Sequence, residues 1–163
     1  MIQIDPSARV SPLADIEDSV RGTRIFIGPG VSIDSFVKIK PTGGNGDLLI
    51  GEGSHINSGT VIYTGNGISI GRYVLIAANC TLAPVNHAFA LVGANIRDQG
   101  FQPSRGGILI EDDVWVGANT VILDGAKLRS GVVIAAGSVV RGDLSPNSVY
   151  GGNPLRLIRS RIA

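Results

Sequence analysis

Aliphatic residues recur at every sixth position through most of the chain. The longest uninterrupted series runs through Ile110, Val116, Ile122, Leu128, Ile134 and Val140. Earlier triplets keep the same spacing at Ile4, Val10 and Ile16, at Ile27, Ile33 and Ile39, at Ile50, Ile56 and Ile62, and at Ile70, Ile76 and Leu82. A period of six fits neither the 3.6-residue turn of an α-helix nor the two-residue alternation of a strand. It is typical of a parallel β-helix, in which short strands wind into a three-sided prism around the aliphatic residues.

Grouping these positions in threes predicts an all-β fold of about six coils over residues 4–144, within a single domain that covers residues 1–163. The interruptions of the repeat all follow the third position of a coil, so every inserted loop leaves the prism from one edge. The longest interruption adds 22 residues between Leu82 and Ile110, after the fourth coil. Insertions confined to one edge of a repeat protein often build its binding surface.

His87, one of two histidines, lies near the start of this extended loop, which occupies about residues 86–107. The loop also carries the apolar residues Phe89, Leu91, Val92, Ile96 and Phe101. A long loop inside a compact repeat is usually functional or disordered, and this composition is too apolar for disorder. We expect the loop to pack against a neighbouring subunit. The alternative for His87 is an ordinary surface position.

Small residues recur just after the second aliphatic position of successive coils, in the pairs Asn57-Ser58, Ala77-Ala78, Gly117-Ala118 and Ala135-Ala136. Because coils stack about 4.8 Å apart, these pairs form a strip along one corner, where a thin ligand can approach the backbone. Alternatively, a tight corner tolerates only small residues. His55 and Trp115 both lie one position before the second aliphatic residue of their coils, and each is a candidate ligand contact. The alternative for His55 is an outward side chain in solvent, and the alternative for Trp115 is a cover over the corner of the prism.

Composition and charge exclude several classes of function. The formal net charge of +1 gives no sign of a nucleic-acid or anionic membrane partner. No apolar run approaches the roughly 20 residues that span a bilayer, and the N-terminal residues lack the pattern of a signal peptide. Cys80 is the single cysteine, so no internal disulfide can form, and its place in the repeat predicts a core position. We expect a cytoplasmic protein.

The C-terminal residues predict a short helix over 153–161. Asn153 and Pro154 suit the N-cap and the first helical position. Arg156 and Arg159 would then share one helical face, while Leu155 and Ile158 would share a neighbouring face that closes the prism. The arginines are either an anion-binding pair or an ordinary solvated face.

Several of these motifs together resemble the hexapeptide-repeat O-acetyltransferases of the galactoside and maltose acetyltransferase type. They are the six-residue repeats, the loop with His87, the stretch DDVWVGANTVI and the closing VYGGNPLRLIR. The resemblance extends from about Ile25 to the end of the chain. It implies left-handed coils, a homotrimer with active sites between subunits and acetyl-CoA as the acyl donor. We expect no metal, because the sequence shows no cluster of metal-ligating residues.

The resemblance also assigns roles to individual residues. It makes His87 the catalytic base, and Asn57 and Trp115 contacts of the acceptor, with His55 beside them. It makes the following residues contacts of the coenzyme: Gly117, Ala118, Ala135, Ala136, Arg156 and Arg159. Arg141, next to a position that is often basic in the family, is a further candidate contact. The sequence departs from the family pattern in three respects: Ala88 replaces the usual proline after the histidine, Gly142 replaces a residue that is often basic, and the N-terminal helical segment of the galactoside and maltose enzymes is missing. These departures make galactosides and maltose uncertain as acceptors.

The leading hypothesis is transfer of an acetyl group to a hydroxyl of a sugar or sugar-containing acceptor, as in surface polysaccharide synthesis. The histidine pKa of about 6.5 suits a general base for such a hydroxyl, and backbone N–H groups near Gly117 or Ala118 would stabilise the oxyanion. The alternatives are N-acetylation of a nucleotide-linked amino sugar, O-acetylation of a xenobiotic, and a non-catalytic scaffold. A zinc enzyme of this fold would need three histidines, and the chain has two.

Overall fold

The six-residue repeat folds into short strands, three of which complete one turn of the coil. The computed structural model describes residues 1–161. Its strands through the fourth coil are β1 Ile2–Ile4, β2 Arg9–Val10, β3 Asp15–Ile16, β4 Ile25–Ile27, β5 Ser32–Ile33, β6 Lys38–Lys40, β7 Leu48–Ile50, β8 His55–Ile56, β9 Val61–Tyr63, β10 Ile68–Ile70, β11 Leu75–Ile76 and β12 Thr81–Ala83. A single turn of 3₁₀ helix, Ile96–Asp98, lies in the long loop that follows. The remaining strands are β13 Ile108–Ile110, β14 Trp115–Val116, β15 Val121–Leu123, β16 Lys127–Leu128, β17 Val133–Ile134, β18 Val139–Val140, β19 Asp143–Leu144, β20 Ser148–Gly151 and β21 Arg156–Ser160.

These strands form the three walls of a prism. Sheet A has the order β1-β4-β7-β10-β13-β16-β19, sheet B the order β2-β5-β8-β11-β14-β17-β20-β21, and sheet C the order β3-β6-β9-β12-β15-β18. Strands of successive coils pair in parallel, as Leu75 does with Trp115 and Trp115 with Val133. Six coils are complete, and β19 and β20 begin a seventh. The predicted left-handed parallel β-helix, with its long loop after the fourth coil, is confirmed.

The interior of the prism is lined by the residues of the six-residue series, together with other buried aliphatic residues such as Ile25 and Leu48. From the second coil to the sixth, every side chain of the series is at most 2% exposed. Ile4, in the first coil, is 43% exposed because no coil covers it from below. Cys80 is also fully buried, as expected for a core residue, and burial raises the pKa of its thiol. A buried thiol with a raised pKa is a poor nucleophile.

The prediction of a C-terminal helix over residues 153–161 is wrong. β21 instead turns back and pairs antiparallel with β20, so that Val149 lies opposite Arg159 and Gly151 opposite Arg156. The connecting turn contains Pro154, which follows a cis peptide bond. β20 is the last parallel strand of sheet B, and its outer edge would present unpaired N–H and C=O groups. Pairing with β21 satisfies these groups, whereas an isolated helix of nine residues would be marginal in water.

Two adjacent leucines of β7 test this account of the core. Leu48 points inward and is fully buried, whereas Leu49 points outward and is 45% exposed. Leu48→Ala should lower the free energy of unfolding by about 2–5 kcal/mol, because it removes a core side chain and leaves a cavity. Leu49→Ala, the matched control, should change it by less than about 1 kcal/mol. Thermal unfolding of both variants at equal protein concentration measures the difference, and equal losses would contradict the inward phase of the repeat.

Candidate active site

A groove of about 560 Å³ runs along sheet B and its corner with sheet C. Its lining includes seven residues that the sequence analysis singled out, namely Ala77, Trp115, Gly117, Ala118, Ala135, Ala136 and Arg159. The other lining residues are Val133, Ile134, Val149 and Arg161. Trp115 is half exposed and forms part of one wall, in the same column as Val133 and Val149. The predicted strip therefore forms the floor of a real groove.

Coil packing explains why one residue of the strip has no side chain. A Cβ atom at Gly117 would lie 2.6 Å from the N atom of Ala136 and 2.7 Å from the O atom of Ile134, in the coil above. The tight-corner explanation therefore accounts for Gly117. Its N–H also donates to the Ile134 carbonyl at 2.8 Å, so this group is already engaged and cannot serve as the oxyanion donor. The hydrogen bonds described within residues 1–161 give the N–H of Ala118 no acceptor, which makes Ala118 the better candidate.

The C-terminal end of the groove carries two guanidinium groups. Arg159 and Arg161 are two residues apart and both line the groove, because alternate residues of an extended segment face the same side. Arg156 is exposed, lies opposite Gly151 and is not part of the lining, so the predicted pairing of Arg156 with Arg159 is wrong. Arg161 was missed because the tail was interpreted as a helix. Its Nη1 donates to the Gly131 carbonyl at 2.7 Å.

Polar residues occupy the same corner at the other end of the groove. Asn57 occupies the position of Ala77 in the preceding coil, so it extends the strip by one coil. Its backbone N–H and its side-chain Nδ2 both donate to the carbonyl of Ile76, Nδ2 at 2.8 Å. This leaves the amide oxygen of Asn57 as the group that can accept. His55 follows Leu75 in the column of Trp115, and its Nε2 lies 3.1 Å from Oδ1 of Asp34. Asp34 was missed because an aspartate one coil away gives no local sequence signal.

The groove and its polar end are long compared with a small metabolite. Five interstrand spacings separate β21, which carries Arg159, from β8, which carries His55, along the order of sheet B. At about 4.8 Å per spacing, this distance is about 24 Å. The arrangement therefore suits an extended ligand with an anionic end near the arginines and a reactive end near Asn57.

His87 lies on a different edge of the prism. Residues 84–107 leave sheet C at its edge with sheet A, whereas the groove lies at the opposite edge of sheet C. His87 is exposed and forms an antiparallel bridge with Phe101, and their ring centroids are 4.8 Å apart. Arg141 belongs to the same edge, where it lines a hollow with Asn86 and Phe89. One chain therefore does not bring His87 or Arg141 to the groove.

No three His, Cys, Asp or Glu side chains within residues 1–161 converge in a way that would hold a metal ion. In the same part of the chain, no helix is both long enough and apolar enough to cross a membrane.

Known proteins share both the repeat and the fold. The family described as bacterial transferase hexapeptide (six repeats) matches residues 107–142. Galactoside O-acetyltransferase of Escherichia coli is 37% identical over 113 residues, which are 69% of this chain and 54% of the relative; the chain thus spans about half the length of that relative. AntD, an N-acyltransferase from Bacillus cereus solved as a variant with dTDP-4-amino-4,6-dideoxyglucose and coenzyme A, superimposes with a TM-score of 0.83 at 27% identity, covering 99% of this chain and 84% of AntD.

A second solved structure is the hexapeptide-repeat acetyltransferase VCA0836 of Vibrio cholerae in complex with acetyl coenzyme A. Its TM-score is 0.67 at 26% identity, and the match covers 100% of this chain and 71% of that one. The chain therefore carries the hexapeptide repeat of bacterial transferases over residues 107–142, and its fold is similar to that of both solved transferases. A second relative with the same name, the galactoside O-acetyltransferase of Lactococcus lactis, is 29% identical over 116 residues, which are 71% of this chain and 54% of that relative.

Proposed function

We propose that the protein transfers the acetyl group of acetyl-CoA to a hydroxyl of a sugar or sugar-containing acceptor. The observation that carries the proposal is the groove itself, which has arginines at one end, small residues along its floor and a polar cluster at the other end. Coenzyme A is bound in the AntD and VCA0836 structures. This donor also favours the cytoplasm, where acetyl-CoA is made, as the location of the protein.

The groove fits the donor in shape and charge. A pantetheine arm is thin and unbranched, so it can lie against Ala118 and Ala136 without displacing a side chain. Arg159 and Arg161 would meet the coenzyme phosphates, because a planar guanidinium donates two hydrogen bonds to a phosphate at once. The thioester would then lie near Ala77 and Asn57.

The reaction requires a base at the acceptor hydroxyl. His87 would take the hydroxyl proton as the oxygen attacks the thioester carbonyl, and the Ala118 N–H would stabilise the oxyanion that forms. The carbon–sulfur bond then breaks, and His87 returns the proton to the coenzyme thiolate. Asn57, His55 with its partner Asp34, and Trp115 would hold the acceptor. Cys80 has no part in these steps.

Because His87 and the groove lie on different edges, we propose that the working protein is a homotrimer. The loop edge of one subunit would face the groove of the next, so His87 and Arg141 complete a site built on another chain. The side chains of Phe89, Leu91 and Val92 are largely exposed in one chain, and such a patch marks an interaction surface. Closed rotational symmetry is the usual arrangement for identical subunits.

A second candidate function is acylation of an amine on a nucleotide-linked sugar. The similarity to AntD over nearly the whole chain favours it. An amine needs less help from a base than a hydroxyl does, so this reaction would depend less on His87. A screen of acetyl-CoA consumption with free sugars, glycolipid precursors, nucleotide-linked amino sugars and xenobiotic alcohols distinguishes these functions, and no turnover with any acceptor would favour a scaffold.

Replacing His87 tests the base directly. His87→Ala should lower kcat by roughly 10²- to 10⁴-fold, the usual contribution of a general base, while the affinity for acetyl-CoA and the mass of the assembly remain unchanged. Steady-state kinetics and sedimentation measure these quantities. An unimpaired rate would remove His87 from the mechanism and favour the amine reaction.

The two arginines of β21 provide a matched pair for the donor site. Arg159→Ala should raise KM for acetyl-CoA roughly tenfold, which corresponds to about 1.4 kcal/mol, with little change in kcat because the contact is equal in ground and transition states. Arg156→Ala, on the same strand but outside the groove, should leave KM unchanged. An equal rise in KM for both variants would show a general effect of positive charge instead of a groove contact.

Mixed assemblies test whether two subunits share one site. Ala136→Trp should block the groove, and His87→Ala removes the base, so each variant alone should be inactive. Coexpression should restore about one quarter of the wild-type sites, because a random trimer pairs an intact groove with an intact His87 at about that frequency. Activity that stays at the level of the single variants, or a wild-type mass equal to that of one 16.9 kDa chain, would contradict the shared site.

A further inference from the structure

Asp124 is a carboxylate buried at the loop edge of the prism. It follows β15 and is only 5% exposed. Its Oδ1 accepts the N–H of Gly107 at 2.9 Å, and its Oδ2 accepts the N–H of Arg105 at 2.8 Å and the side-chain Nδ2 of Asn66 at 3.2 Å. Burying a carboxylate is costly unless hydrogen bonds compensate it, and three donors do so here.

These three donors come from parts of the chain that are distant in sequence. Asn66 lies in the turn between β9 and β10, whereas Arg105 and Gly107 form the exit of the long loop. Asp124 therefore ties the loop exit to two different coils. The adjoining Gly125 adds a further link, because its N–H donates to the Gly107 carbonyl at 2.7 Å.

The entrance of the loop is fixed by packing instead. The side chain of Val85 packs closely against Gly43 and Gly65 in neighbouring turns. A Cβ atom added at Gly65 would lie 2.5 Å from Cγ1 of Val85, and one added at Gly43 would lie 2.8 Å from Cγ2 of Val85. The entrance and the exit then hold each other. Gln102 N–H donates to Asn86 O at 2.8 Å, and Phe101 bridges His87.

We propose that Asp124 is the positioning residue for His87. Its carboxylate fixes the backbone at Arg105 and Gly107, and the segment just before Arg105 is the one that pairs with Asn86 and His87. This inference rests on the proposed role of His87 as the base. We assign Asp124 no contact with the reacting atoms, because it is only 5% exposed and its carboxylate already accepts three hydrogen bonds.

Asp124→Asn is the sharpest test, because it preserves size while replacing one acceptor oxygen with an NH2 group that cannot accept a backbone N–H. We expect kcat to fall roughly 10- to 100-fold, the effect of a small displacement of a catalytic group. KM for acetyl-CoA should change less than kcat, because the groove with Arg159 and Arg161 lies on the other edge. Asp112→Asn is the matched control: Asp112 also accepts a backbone N–H, from Arg72 at 2.8 Å, but lies outside the loop edge, so kcat should stay within about twofold of wild type.

A double-mutant cycle separates positioning from general damage. In the His87→Ala background, Asp124→Asn should have no further effect on kcat, because the group it positions is gone. Asn66→Ala, which removes one of the three donors, provides a milder variant should Asp124→Asn fold poorly, and it should show a smaller loss that also vanishes in that background. A loss that persists without His87, or that equals the loss in Asp112→Asn, would overturn the inference. Full activity of His87→Ala alone would overturn the proposed base instead, so the two failures are distinguishable.

Discussion

The stacking of each aliphatic side chain on its counterpart in the next coil is the constraint on which the rest of this molecule depends. The backbone ladder sets the coil spacing at about 4.8 Å, and at that spacing the inward side chains of successive coils stack directly on one another. Ile50, Ile70 and Ile110 pair in register along one wall. A coil that broke this register would expose its own core and that of both neighbours, so variation is confined to the corners and edges.

This constraint determines where chemistry can be placed. The corner between sheets B and C must stay tight, and Gly117 shows that the next coil alone enforces it. The edge between sheets C and A is free to accept insertions and carries the long loop. The chain thus combines a rigid groove on one edge with a variable loop on another. Symmetrical assembly is the simplest way to bring these two edges together, because every subunit offers both.

Much of this could be predicted from the sequence, because the dominant interactions repeat. The phase of the core, the grouping into coils, the loop position and the small-residue strip all follow from a six-residue period that a single chain displays directly. The tail could not be predicted in the same way. Asn153-Pro154 and the spacing of Arg156 and Arg159 favour a helix locally, whereas the open edge of β20 favours a strand, and that edge exists only after the prism has formed. Asp34 and Asp124 were missed for the same reason, since their partners lie on other coils.

The stacked coils also fix the distance between the two ends of the groove. Along sheet B, five strand spacings separate β21, with its arginines, from β8, with His55, and each spacing joins two hydrogen-bonded strands. A ligand that spans this distance must match it in steps of about 4.8 Å. Gain or loss of one coil between β8 and β20 would leave the core intact and each end of the groove chemically unchanged, yet the two ends would no longer suit the same molecule. The number of repeats, usually regarded as a matter of stability, would then also set the length of ligand that the proposed groove accepts.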